Sequence, residues 1–284
     1  MLGVGRRALM IAAVMAGSIS LVLGANAALT KRSTEAPAAS VGAPAIANKH
    51  PRVALVIGNS NYPDASAPLT QPVNDARLLT EALRADGFDI DLVENATRLD
   101  MSQAIDRLNA KVGPDSVVML YYAGFGIQAR RESYMIPVDA AIWSESDVRR
   151  DGTSIEAVLD QVKAQGAAAR LVVLDASRRN PYERRFRTYS HGLAPLDLPQ
   201  DTVILASRAA GKVADDSAAA NSLLAIELVR HLDPHATVES VFVNTRNAVA
   251  RASNGAQLPV VSSSLAADVR LGAPAPTKSA QAGN

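Results

Sequence analysis

Four short runs in this chain are apolar at nearly every position: residues 53–57, 117–122, 171–174 and 202–206. A strand that faces water on one side alternates polar and apolar residues, whereas a strand covered on both faces has no such need. Between the runs lie segments with apolar residues at helical spacing. Val73, Ala76, Leu79 and Leu83 mark one that ends before Gly87, and Met101, Ala104, Ile105, Leu108 and Val112 mark a second. Ile155, Val158, Leu159 and Val162 mark a third. Two more follow the last run, on Leu224, Leu228 and Leu232 and on Val238, Val241, Phe242, Thr245 and Val249. A further strand is expected over residues 88–93, and residues 134–139 read as irregular. Asp100 with Gln103, and Thr153 with Glu156, have capping-box spacing at the starts of the second and third helices. Strands alternating with helices in this order imply crossover connections, hence an α/β fold with a mainly parallel sheet covered on both faces. Sites in such sheets form in the loops beyond the carboxyl ends of the strands.

The two ends of the chain read differently. Arg6 and Arg7 precede an uncharged apolar stretch at residues 8–23, and Ala25-Asn26-Ala27 has the small-x-small pattern of a cleavage site. Residues 1–27 are therefore read as a signal peptide, with an uncleaved membrane anchor at residues 8–23 as the alternative. The stretch is shorter than the roughly 20 residues that span a bilayer comfortably. Either reading places the folded part outside the cytoplasm, periplasmic or secreted. Residues 28–51 read as a flexible linker, 52–271 as the folded domain and 272–284 as a disordered tail. A formal net charge of +1 gives no reason to expect a nucleic-acid partner. The chain contains no cysteine, which excludes disulfides, thiolate metal sites and a cysteine nucleophile together. His231 and His235 have i, i+4 spacing, but Pro234 breaks the helix that would align them, so neither a metal nor another cofactor is expected.

Two loops at strand ends carry the functional signal. Tyr121-Tyr122-Ala123-Gly124-Phe125-Gly126 closes one apolar run and Leu174-Asp175-Ala176-Ser177-Arg178 closes another. Two glycines around Phe125 let the backbone turn sharply and approach a ligand. Phe125 and Ser177 would be spatial neighbours if the two strands pair. They stand 52 residues apart, against roughly 50 between the histidine and cysteine of caspases. Further ordered stretches are Ala54-Leu55-Val56-Ile57-Gly58-Asn59 with Tyr62, and Leu69 through Asn74-Asp75-Ala76. Tyr134-Met135-Ile136-Pro137-Val138-Asp139-Ala140, Asn180-Pro181 and Gln257-Leu258-Pro259 complete the set. With these motifs, residues 52–265 resemble the caspase-like, metacaspase-related peptidase domain of bacterial exported proteins.

The resemblance implies a caspase-like three-layer α/β/α sandwich. It also implies a histidine base at position 125 and a cysteine nucleophile at position 177, where this chain has phenylalanine and serine. Phenylalanine moves no proton, and a serine hydroxyl needs a general base more than a thiol does. Loss of general-base help alone costs roughly 10²- to 10⁴-fold in rate. The resemblance assigns the oxyanion hole to the amides of Gly126 and Ser177, beside Gly124, and gives Asp175 a place in a pocket for basic side chains. A cap on local backbone amides is the alternative role for Asp175.

The expected function is that of a non-cleaving peptide- or protein-binding or regulatory module, with no catalytic residue. The competing reading is a divergent serine hydrolase using Ser177 with His191, since His50 lies in the linker. A third is a structural domain whose cleft is filled by the Phe125 ring. Arg178, Arg179, Arg184, Arg185 and Arg187 form a basic cluster, read as a solvated loop or as an anion patch beside the site.

Overall fold

The computed structural model describes residues 52–63, 69–178, 180–182, 192–213 and 219–272. The expectations for residues 1–51 and for the tail beyond Gly272 lie outside the described residues.

Strand β1 (Arg52–Gly58) leads to helix α1 (Pro72–Ala85), strand β2 (Asp89–Glu94), helix α2 (Arg98–Lys111) and strand β3 (Val117–Ala123). A hairpin follows, of strands β4 (Gly126–Ala129) and β5 (Glu132–Met135), then the short helix α3 (Glu145–Asp151) and the two-residue strand β6 (Thr153–Ser154). Helix α4 (Ile155–Ala164), strand β7 (Ala169–Asp175) and strand β8 (Thr202–Ala206) come next. Helices α5 (Leu223–His231) and α6 (Val238–Ala252) and strand β9 (Val260–Ser263) complete the order. The main sheet has the order β2-β1-β3-β7-β8-β9, parallel throughout except for β9, which is antiparallel to β8. Strands β4, β5 and β6 form a small antiparallel sheet of their own.

Alternate residues of each central strand go to opposite faces, as the pleat requires. Val53, Leu55 and Ile57 of β1, with Val118, Leu120 and Tyr122 of β3, pack in one buried cluster with residues of α2 and α4. Ala54, Val56, Val117, Met119 and Tyr121 pack in the other, with residues of α1, α5 and α6. This is the three-layer α/β/α sandwich the sequence implied. Gly58 fits the close approach of helix to strand: a Cβ there would lie 2.4 Å from the carbonyl oxygen of Pro72, at the first turn of α1.

Several details differ from the reading of the sequence. Helix α2 begins earlier, with Thr97 as its cap: Thr97 Oγ1 accepts from the Asp100 amide and the Asp100 carboxylate accepts from the Thr97 amide. Threonine outcompetes the Asp100–Gln103 pairing because it sits directly before the helix, in extended backbone. Likewise Ser154, not Thr153, caps α4: it is the residue directly before the helix, in extended backbone, and its Oγ accepts from the Ala157 amide. Residues 134–139 are not irregular throughout, since Tyr134 and Met135 end strand β5.

Candidate active-site cleft

The register between β3 and β7 sets Ala123 opposite Asp175. Two residues further along each strand stand Phe125 and Ser177, so the two loops emerge side by side from the carboxyl edge of the sheet. They are stitched together directly: the Gly124 amide donates to the Asp175 carbonyl at 3.4 Å and the Gly126 amide to the Ala176 carbonyl at 3.0 Å. The Gly126 amide is thus already hydrogen-bonded within the protein. Glycine is required at both places for space. A Cβ at 124 would lie 2.6 Å from the Tyr62 hydroxyl, and one at 126 would lie 2.8 Å from both the methyl and the carbonyl oxygen of Ala176.

Phe125 is 5% exposed and belongs to an apolar cluster with Tyr62, Ile127, Tyr134, Ile136 and Tyr182. Its ring meets that of Tyr62 at a centroid distance of 4.6 Å and an angle of 59°, a tilted aromatic contact. The backbone is fixed as firmly as the ring. The Phe125 amide donates to the Tyr62 hydroxyl at 3.0 Å, and the Tyr122 hydroxyl donates to the Phe125 carbonyl at 2.8 Å. Tyr122 accepts the Ile136 amide at 3.0 Å, while Tyr62 donates to the Ile136 carbonyl at 3.0 Å. Asn59 extends the network, donating from Nδ2 to the Ile136 carbonyl at 3.1 Å and accepting the Ala96 amide at 2.8 Å. Burial pushes the Tyr62 hydroxyl up to about 12, so it stays protonated and keeps this role at ordinary pH.

Ser177 is 1% exposed, and its buried Oγ has no hydrogen-bond partner. Asp175 is also buried; its side chain caps no backbone amide and its Oδ2 is unpartnered. Arg178 turns inward rather than outward. Its guanidinium donates from Nη1 to the Gly124 carbonyl at 3.1 Å and to the Asp175 carbonyl, and lies 3.8 Å from the Asp175 carboxylate. At 5% exposure it is not part of a solvent-facing patch, whereas Arg179, Arg184, Arg185 and Arg187 lie outside the described residues.

The sequence reading gave no role to Asp75, a second buried carboxylate, on the inner face of α1. Its Oδ1 accepts from Asn221 Nδ2 and from the Ser222 amide, each at 2.9 Å, which ties α1 to the start of α5. Its Oδ2 is buried without a partner, as is the Tyr121 hydroxyl. Burial first, and the charge of Asp175 second, push the Asp75 carboxyl up to about 6. Burial and the same two carboxylates hold the Tyr121 hydroxyl well above the usual phenol range. Asp75, Tyr121, Asp175 and Arg178 therefore form one electrostatically coupled buried group. The signal in the sequence was an acidic residue four positions before Leu79, on the apolar stripe of its helix.

Two of the four histidines are described. His231 ends α5, with Nδ1 2.8 Å from the Glu227 carbonyl oxygen, and His235 lies beyond that helix. His50 and His191 lie outside the described residues. Among the described residues, no side chain accepts a hydrogen bond from Ser177 Oγ. Nor does any group of three or more histidine, aspartate or glutamate side chains among them have an arrangement that could hold a metal ion.

Comparison with known proteins bears on this architecture. The family model described as Caspase domain, for a family of peptidases, matches residues 51–270. The human mucosa-associated lymphoid tissue lymphoma translocation protein 1 is 30% identical over 133 residues, 46% of this chain and 16% of the human protein. Its mouse homolog is 30% identical over 136 residues, with the same coverage. The chain thus spans a small part of these relatives, but the family match runs from β1 through β9 and takes in both stitched loops. The chain belongs to the caspase domain family.

Proposed function

We propose that this protein is a non-cleaving member of its family, acting outside the cytoplasm as a binding or regulatory module for peptide or protein segments. The observation that carries the reading is the state of the two loop positions. The Phe125 ring is locked against Tyr62 where a base would be needed, and the buried Ser177 hydroxyl has no hydrogen-bond partner among the described residues to take its proton. The surrounding scaffold keeps its shape: paired loops, close-fitting glycines, and the buried carboxylates of Asp75 and Asp175, each with one oxygen that has no hydrogen-bond partner. With Arg178 set 3.8 Å from Asp175, net negative charge remains here only when Asp75 is ionised, and that charge favours a basic side chain in the bound segment.

Equilibrium binding tests this. Fluorescence anisotropy of an arginine-containing peptide on the purified protein is compared with that of the same peptide carrying uncharged citrulline. The arginine peptide is expected to bind about tenfold or more tightly, as a charge-assisted contact implies. Mass spectrometry is expected to recover it uncut. Equal affinities would contradict selection by that charge, and absence of binding would contradict the binding role.

A further inference from the structure

A cavity of about 250 Å³ lies over the β8–β9 edge of the main sheet, and none of the two motif loops' residues lines it. Ile204 and Ala206 of β8 and Val260 of β9 form one wall, and Leu196 and Leu198 face them from the segment that precedes β8. That segment is anchored on both sides. The Gly211 amide donates to the Leu193 carbonyl at 3.0 Å, and the Ala194 amide donates to Ser133 Oγ of the hairpin at 3.0 Å. These contacts hold Leu193 and Ala194 in place beside the cavity.

Among the described residues its lining is aliphatic except for Ser262 and one charged side chain, Arg208. The Arg208 Nε is buried and has no hydrogen-bond partner, and no carboxylate among the described residues pairs with this guanidinium. A partly buried, unpaired cation is unfavourable by itself and attracts an anion. The planar fork of a guanidinium matches a carboxylate in particular. The volume lies near the lower end of small-molecule pockets, roughly 300 to 1,000 Å³, so the apolar body of the ligand is short.

We propose that this cavity binds a carboxylate carried on a short aliphatic body, with the carboxylate on Arg208 and the aliphatic part between Leu196 and Ala206. A free short-chain acid and the carboxyl terminus of a peptide ending in leucine share this chemistry. The site is independent of peptide binding in the cleft. It nonetheless adjoins the cleft through Leu193, whose Cδ2 lies 2.6 Å from where a Cβ on Gly126 would stand.

Titration calorimetry on the full chain tests it with four probes: 4-methylpentanoate, its neutral amide, and acetyl-alanyl-leucine as the free acid and as the amide. At least one acid is expected to bind about tenfold or more tightly than its amide, the loss that removing a charge-assisted contact implies. Arg208→Gln is expected to abolish that difference without lowering the melting temperature, since Arg208 holds no partner in the fold. Ala206→Phe is expected to fill the space and abolish binding of acid and amide alike. Binding of 4-methylpentanoate identifies a small acid as sufficient, and binding of the peptide acid alone identifies a chain terminus. Acid and amide of equal affinity, an acid preference that survives Arg208→Gln, or no binding by either acid would each overturn the proposal.

Discussion

Phe125 is enclosed by its neighbours, with its ring against Tyr62. Phe125→His would place a polar imidazole in the cluster of Tyr62, Ile127 and Tyr134. Urea unfolding is expected to register a loss of about 1 to 3 kcal/mol at about pH 8. The loss is expected to be larger at about pH 5, because burial lowers the pKa of a histidine and folding must then strip its proton. Unchanged stability would mean that the ring is dispensable to the packing. Asp75 offers a second test. Its folded value of about 6 lies above the ordinary carboxylate value, so the native state holds the proton more tightly than the unfolded chain. The group's contribution is fully present below about pH 4 and is lost as the pH rises through about 6. Asp75→Asn removes this dependence while keeping an oxygen to accept from Ser222. Its stability relative to the natural protein is expected to rise by about 2 to 3 kcal/mol between about pH 4 and pH 7. A flat difference would show that Asp75 does not titrate in this way. The same ionisation governs the proposed basic ligand, whose affinity is expected to increase as the pH passes through about 6.

At the scale of elements, the buried strands were the most legible part of the sequence. The runs that became β1, β3, β7 and β8 are apolar on both faces, and only a covered central strand accommodates that pattern. The hairpin of β4 and β5 was not legible, and its turn explains why. Ala129 pairs with Glu132, leaving a two-residue loop of Arg130 and Arg131, both with positive φ, 53° and 86°. Such turns usually announce themselves with asparagine and glycine, which adopt this conformation at little cost. Arginine gives no such signal. Arg130→Asn with Arg131→Gly is accordingly expected to stabilise the protein by about 1 to 2 kcal/mol, read as a higher urea midpoint at constant slope. No change would mean that the turn carries little strain. Strand β9 escaped notice for a different reason. It is a four-residue edge strand whose Val260, Ser262 and Ser263 are exposed, so its polar residues give little apolar pattern to detect.

For the whole molecule, the position of the cleft followed from sequence because topology alone determines it. Parallel pairing of β3 with β7 brings two loops together that lie far apart in the chain. The electrostatic part of the site did not follow, because Asp75 reaches it from a helix packed on the sheet rather than from a strand end. That contact depends on how α1 seats against β1 at Gly58, which no local pattern specifies. The proposed function requires the cleft to hold a segment without cutting it. It is tested most directly by incubating the purified protein with fluorogenic arginine and lysine peptides, alongside a fluorophosphonate probe for activated serine. Neither turnover nor labelling above the level of Ser177→Ala is expected. Turnover or labelling that disappears in Ser177→Ala would contradict the proposed function.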